Sequence, residues 1–146
     1  MKNTQNKSAL LGAAFAACMV VGAGAALAAS PNGVWTTEDG KARVQISNCG
    51  PAICGRVIWL RQPNGKDGKP ELDFRNANPA LRKRPMLGVP VLESLKPSDG
   101  QWKGRIYNGE DGKTYAAYFK LMGDNKAQVQ GCFAGFLCKS QIWTRH

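Results

Sequence analysis

Residues 101–132 read QWKGRIYNGEDGKTYAAYFKLMGDNKAQVQGC, and this stretch decides the fold. It contains three short runs in which side chains alternate between two faces, at residues 101–107, 113–122 and 126–132. The segments between the runs, NGEDG at 108–112 and GDN at 123–125, consist of residues that favour tight turns. Alternating runs joined by such turns are typical of an antiparallel meander.

The same pattern continues on both sides of this stretch and predicts eight strands in all. They are residues 33–36, 42–48, 54–61, 88–93, 101–107, 113–122, 126–132 and 138–145. Eight antiparallel strands in simple succession favour an up-and-down barrel, because closure removes the exposed edges of the sheet. The sequence therefore predicts an all-β protein built as a small eight-stranded antiparallel barrel.

A barrel of eight strands is either filled by its own side chains or holds one small ligand, and both possibilities stay open. The run 54–61 is apolar on both faces, with Val57 and Trp59 on one and Ile58 and Leu60 on the other. We expect such a strand to be covered on both sides. The aromatic residues predicted to line a ligand site are Trp59, Tyr107, Tyr115 and Tyr118.

A long loop at about residues 62–87 interrupts the pattern, with four prolines and many charges. Loops of this length are usually functional or disordered. Asp73, Asn76, Arg82 and Arg84 are predicted ligand contacts within it, since two arginines at i and i+2 of an extended segment can clamp a carboxylate or phosphate. The alternative is that Asp73 pairs with one of these arginines while the asparagines cap turns.

Residues 1–28 have the layout of a cleavable signal peptide, with two early lysines, an apolar run and a final Ala-Leu-Ala site. Cleavage would leave residues 29–146 as a single β-barrel domain without a transmembrane segment. We therefore expect the protein in the periplasm or outside the cell. Two alternatives are a retained N-terminal anchor and a lipoprotein site at Cys18, for which the surrounding sequence is a poorer fit.

The charge balance indicates possible partners. The chain has 20 Lys and Arg against 10 Asp and Glu, and two lysines leave with the signal, so the domain carries 18 against 10, a net charge of +8. Such a surface attracts anionic envelope polymers or lipid head groups, although a basic soluble protein needs no such partner. Export argues against a nucleic acid partner, and no cofactor is expected.

Four cysteines remain after the signal, and their even number predicts two disulfides. Three pairings are possible, and we favour the local pairs Cys49–Cys54 and Cys132–Cys138, since each brackets a turn that contains glycine. No metal site or catalytic residue is predicted, because the one histidine is the last residue. A pair of catalytic carboxylates stays open as a less favoured alternative.

The chain resembles the secreted bacterial domain-of-unknown-function family 2147, which is usual in Gram-negative bacteria. The resemblance runs from about residue 33 to 145. Its motifs are Gly33-x-Trp35, Cys54-Gly55, the polar stretch 73–88, Trp102-x-Gly104, Asp111-Gly112-Lys113-Thr114-Tyr115 and Trp143-x-Arg145. The resemblance implies a lipocalin-like or calycin-like barrel in the cell envelope and no established reaction. One departure is Asn108-Gly109, where family members commonly have Asp-Pro.

The two ends of the domain are also similar to lipocalins, in which an early tryptophan packs beneath an arginine of the last strand. This similarity implies structural roles for Gly33, Trp35, Trp143 and Arg145. The physical basis is that a guanidinium group can stack on an indole ring while its N–H groups reach backbone carbonyls. Our leading interpretation is an exported barrel that binds a small apolar or anionic ligand or a lipid. The alternative is a filled barrel that interacts through its basic surface.

Overall fold

The computed structural model describes residues 28–146, in which eight antiparallel strands form one closed barrel in chain order. The strands are β1 Gly33–Thr36, β2 Ala42–Cys49, β3 Ala52–Leu60, β4 Pro90–Ser98, β5 Gln101–Asn108, β6 Lys113–Leu121, β7 Lys126–Phe133 and β8 Leu137–Arg145. The predicted all-β up-and-down barrel is confirmed. The predicted signal peptide lies outside the described residues except for its last residue.

The two ends of the barrel differ. Because successive strands alternate in direction, one end carries the long segment 61–89 and the turns 37–41, 109–112 and 134–136. We call it the open end. The other end carries only short turns and the start of β1, and we call it the plugged end. Within residues 28–146, no helix has the length and apolar character needed to cross a membrane.

The hydrophobic core fills the plugged end. Trp35, Ile46, Leu95 and Phe119 are completely buried there, and the Trp35 and Phe119 rings meet edge to face with centroids 5.5 Å apart. Inward and outward residues alternate along each strand, so these side chains come from one face of four different strands. Burial of such large apolar groups is the main source of stability for a domain of this size.

Arg145 closes the plugged end from below the core. Its guanidinium carbon lies 4.3 Å from the centre of the Trp35 ring, and its N–H groups donate to the backbone carbonyls of Ser30, Asn32 and Asp124. A Cβ at Gly33 would lie 2.6 Å from an Arg145 nitrogen, and the φ of Gly33 is +132°. This position therefore requires glycine, both for its backbone and for the approach of Arg145.

Both disulfides form the local pairs favoured from the sequence. Cys49–Cys54 joins β2 to β3 at the plugged end, with Cα atoms 5.8 Å apart. Cys132–Cys138 joins β7 to β8 at the open end, with Cα atoms 4.0 Å apart. Each disulfide therefore fixes a hairpin at one end of the barrel.

The structure differs from the prediction most in β4, which was expected at 88–93 and extends from Pro90 to Ser98. Ser94 has a φ of +48°, and the register between β4 and β5 shifts between Glu93 and Lys96. This bulge interrupts the alternation on which the prediction depended. The long loop is otherwise as expected, and its one regular element is the 3-10 helix Pro79–Leu81.

Candidate functional site

The interior of the open half of the barrel is not filled by side chains. The core ends at a floor of side chains that are at most 4% exposed: Val44, Val57, Val129 and Trp143. Above this floor, five inward residues remain partly exposed along the wall: Ala42, Leu60, Ile106, Tyr115 and Gly131. They line a cavity that is open to solvent and that measures about 1990 Å³ together with the space between the loops. We call the part above the floor the cup.

The rim of the cup is apolar on the side of the β7–β8 turn. Phe133, Phe136 and Leu137 are 61%, 75% and 59% exposed, although each is a large hydrophobic residue. The disulfide between Cys132 and Cys138 spans the base of this turn. A cluster of exposed apolar side chains marks an interaction site more often than scattered ones do. The rim therefore offers an apolar entrance to the cup.

Polar groups of the inner wall lie on β8. Lys139 and Gln141 share the inner face with Trp143, and their register partners on β7 are Gly131 and Val129. Both side chains contribute to the lining of the cavity and are exposed. Gln141 accepts a hydrogen bond of 3.0 Å from the indole nitrogen of Trp143. One side of the cup thus has a basic and an amide group, whereas the rest of its wall is mainly apolar.

A buried polar network anchors the long loop to the outer side of β5. Asp73 is 1% exposed, and one of its carboxylate oxygens accepts hydrogen bonds from Arg84 Nε at 2.9 Å and Asn76 Nδ2 at 2.8 Å. The other oxygen accepts from the hydroxyl of Tyr107. Arg84 Nη2 lies 2.9 Å from the first oxygen, so the guanidinium group neutralises the carboxylate. A buried carboxylate needs such partners to offset the loss of water.

The environment of the tyrosines changes their proton affinity. Burial, followed by the hydrogen bond to Asp73, raises the pKa of Tyr107 to about 12. The hydrogen bond from its hydroxyl to Asp111 raises the pKa of Tyr115. Both tyrosines are therefore neutral hydrogen-bond donors at physiological pH. Neither is a general base under those conditions.

The structure brings Asp73, Asn76, Arg84 and Tyr107 together, but their polar atoms face one another. Arg82 lies beside this network and donates from Nε to the carbonyl of Asn76 at 2.8 Å. The prediction that Arg82 and Arg84 point the same way is wrong. Arg82, at the end of the 3-10 helix, has helical backbone angles, with φ −66° and ψ −19°. The segment is not extended there, so Arg82 and Arg84 reach different partners.

Of the four predicted lining aromatics, Tyr115 lies on the wall of the cup and Tyr107 lies beneath the loop. The structure places Trp59 and Tyr118 on the outer face, which corrects their expected position. The register of β2 and β3 shifts so that Trp59 lies opposite Arg43 and stacks 4.5 Å from its guanidinium carbon. Tyr118 alternates with the buried Phe119 and lies 5.7 Å from the amine of Lys103.

Sequence reasoning missed six residues of the cup, namely Ala42, Leu60, Ile106, Gly131, Lys139 and Gln141. The bulge in β3 turns Leu60 inward in place of Trp59, and the local sequence does not predict this bulge. Lys139 could have been predicted from the sequence. Side chains alternate along a strand, so residues 139 and 141 lie on the same face of β8 as Trp143. Within residues 28–146, no group of three or more His, Cys, Asp or Glu side chains is arranged to hold a metal ion.

Comparisons with known proteins agree with the barrel. The family model described as "Uncharacterized protein conserved in bacteria (DUF2147)" matches residues 33–145. The chain is also similar to a solved structure described as "Protein HP1028 from the human pathogen Helicobacter pylori belongs to the lipocalin family". The identity is 23% and the TM-score 0.68, over 82% of this chain and 84% of that chain. At this identity the likeness shows the fold alone. No curated protein matches.

Proposed function

We propose that this chain, which belongs to the bacterial family described as "Uncharacterized protein conserved in bacteria (DUF2147)", binds a small, mainly apolar molecule in its cup. The observation that carries the proposal is the partial exposure of the apolar inner wall above a solid core. Apolar surface removed from water contributes about 25 cal/mol per Å². A ligand that covers this wall would gain that free energy, and the exposed apolar rim provides its entrance.

The eight predicted ligand residues divide into two groups under this proposal. Tyr115 contacts the ligand directly from the wall of the cup. The polar atoms of Asp73, Asn76, Arg84 and Tyr107 bond to one another, so these residues act by holding the loop that borders the cavity. Arg82, Trp59 and Tyr118 are left without a ligand contact.

Export to the periplasm or to the outside of the cell is part of the proposal. Disulfides form and persist in oxidising compartments, and this domain has one at each end of its barrel. The predicted signal peptide at residues 1–28 would supply the route. Cell fractionation followed by N-terminal sequencing tests this part, and a start at Ala29 or Ser30 in the envelope fraction is the expected result.

A variant that fills the cup tests ligand binding. Gly131 points inward on β7, and a Cβ there would lie 3.3 Å from Ile106 Cγ2, so Gly131→Leu places its side chain inside the cup. The matched control is Gln130→Leu, which adds leucine to the outer face of the same strand. The measurement is the affinity for N-phenyl-1-naphthylamine, a neutral apolar dye, followed by its fluorescence.

We expect Gly131→Leu to weaken dye binding at least tenfold and Gln130→Leu to leave it unchanged. Ala42→Leu, on the opposite wall of the cup, is a second filling variant in case Gly131→Leu does not fold. Equal dye affinity in the wild type and the folded filling variants would refute binding in the cup. Failure of the wild-type protein to bind the dye would do the same.

A second candidate function uses the outer surface. Lys96 and Lys103 are register partners on β4 and β5, and both are exposed. Like charges directly opposite each other destabilise a sheet, and a bound polyanion would relieve the repulsion. This arrangement favours an anionic envelope polymer as partner. Salt-dependent binding to dextran sulfate that is lost in Lys96→Glu/Lys103→Glu and retained in Gly131→Leu would support it, and no binding would exclude it.

A further inference from the structure

Lys139 is a cation that points into the barrel. It alternates with Leu137, Gln141 and Trp143 along the inner face of β8, and Trp143 forms part of the floor of the cup. Its side chain contributes to the lining of the cavity. Inward positions of a small barrel are ordinarily filled by apolar side chains, so a lysine at this place requires a reason.

The neighbours of Lys139 on the next two strands are small. Its register partner on β7 is Gly131, whose own partner on β6 is Ala117. These two neighbours contribute no side chain and one methyl group, respectively, to the inner wall. The Ile106 side chain packs over this part of the wall, since a Cβ at Gly131 would lie 3.3 Å from Ile106 Cγ2, so Lys139 stands directly beside the apolar wall of the cup.

Lys139 lacks a carboxylate partner within the described part of the chain, because no Asp or Glu oxygen of residues 28–146 lies within 4.0 Å of its amine. Three of the carboxylates that line the cavity have other partners. Glu110 pairs with Lys41, Glu93 lies 3.8 Å from Arg105, and Asp111 accepts from the Tyr115 hydroxyl. The charge of Lys139 is thus not neutralised by the wall of the cup.

Gln141 supplies a second donor next to the amine. Its carbonyl oxygen accepts from Trp143 Nε1, which leaves its amide N–H groups without an acceptor among residues 28–146. Alternate residues on one face of a strand are about 7 Å apart, so the lysine amine and this amide can converge on one small group. Two N–H donors, one of them charged, match the oxygens of an anion.

We infer that the ligand is an amphipathic anion, with an apolar body against Leu60, Ile106 and Tyr115 and one terminal anionic group, such as a carboxylate, at Lys139 and Gln141. This inference rests on the proposed function, since it names the class of molecule that the cup binds. The apolar body supplies most of the affinity, whereas the charged contact sets the orientation and the preference for an anion.

Three twelve-carbon compounds that differ only in their head groups test the inference. They are dodecanoate, the neutral dodecanol and the cationic dodecyltrimethylammonium, each used below its micellar concentration to displace the dye from the cup. The variants are Lys139→Met, which keeps the length of the side chain without its charge, and Lys139→Glu. The matched control is Lys126→Met, an exposed lysine at the plugged end of the neighbouring strand.

We expect the wild type to bind dodecanoate at least tenfold more tightly than dodecanol. Lys139→Met should lose this preference, Lys139→Glu should favour the cation, and Lys126→Met should behave as the wild type. Equal binding of dodecanoate and dodecanol by the wild type, or a preference that survives in Lys139→Met, would overturn the inference and leave the proposed function standing. If none of the three compounds displaces the dye, the inference fails while the proposed function stands, because that function is tested by whether the dye itself binds in the cup.

Discussion

At the scale of single residues, Asp73 shows why several predicted ligand contacts have their polar atoms turned towards one another. Its carboxylate is 1% exposed and receives hydrogen bonds from Arg84, Asn76 and Tyr107. A carboxylate in that position is stable only while these donors remain, because an unpaired buried charge costs several kcal/mol. The network therefore stabilises the loop, and its polar groups are satisfied by one another.

Removal of one donor tests the role of this network. Tyr107→Phe takes away the hydroxyl that donates to Asp73, and we expect the free energy of unfolding to fall by about 1–3 kcal/mol at neutral pH. The control is Tyr118→Phe, because the Tyr118 hydroxyl forms no hydrogen bond with residues 28–146 and its loss should change stability by less than about 0.5 kcal/mol. Urea unfolding measures both values.

The same variant has a defined dependence on pH. The pKa of Tyr107 is about 12 in the folded protein, above its ordinary value of 10.0, so this tyrosine contributes stability below pH 10 that is lost as the pH rises towards 12. The difference in stability between the wild type and Tyr107→Phe should shrink over that range. A difference that stays constant from pH 8 to 12 would show that Tyr107 is not linked to Asp73 in this way.

At the scale of elements, the seam between β1 and β8 is the weakest part of the barrel. Their pairing comprises only Trp35 with Arg145 and Thr36 with Thr144. Towards the open end, β8 is paired on one side by β7, and the N–H of Ile142 donates to Glu38 at 2.8 Å instead of to a strand. The wall of the cup beside Lys139 thus has one unpaired edge.

Hydrogen exchange tests this description of the seam. Because the Ile142 N–H points away from β7, alternation places the Ser140 N–H on the same unpaired edge and the Gln141 N–H towards β7. We expect the Ser140 amide to exchange much faster than the Gln141 amide, which is an internal control on the same strand. Equal protection of the two amides, measured by NMR, would mean that the edge is covered.

The strands were predictable because turn residues and alternation agree along most of the chain, as in residues 101–132. The bulges were not predictable. In β3 the extra residue turns Leu60 into the cup and Trp59 out of it. In β4, Ser94 has a positive φ, which would not be predicted for a serine. Simple alternation places Tyr115 on the inner face, because β6 has no such irregularity.

The network in the loop was predictable only as one of two alternatives. The sequence placed Asp73 near two arginines but could not choose between a ligand and a partner for their charges. The choice depends on Tyr107, which is distant in sequence and contacts Asp73 only after β5 lies beneath the loop. Such long-range contacts are fixed by the register of the barrel and not by local pattern.

At the scale of the whole molecule, side chains fill the interior of the barrel at the plugged end and leave part of it unfilled at the open end. The plugged end, with Arg145 stacked on Trp35, provides stability without help from a ligand. The cup can then expose apolar side chains at little cost to the fold. The filled half and the partly exposed half lie at opposite ends of one interior. The filled-barrel and the ligand-binding hypotheses therefore concern different halves of the barrel.

The most direct test is to map which residues of the protein a ligand contacts. Dodecanoate is titrated into isotopically labelled protein, and the amide resonances are followed by NMR. We predict saturable shifts at Tyr115, Gly131 and Lys139, with those of Lys96 and Lys103 unchanged. Shifts confined to the outer lysines, or no saturable shift at any residue of the cup, would contradict the proposal that the open half of the barrel is a binding site.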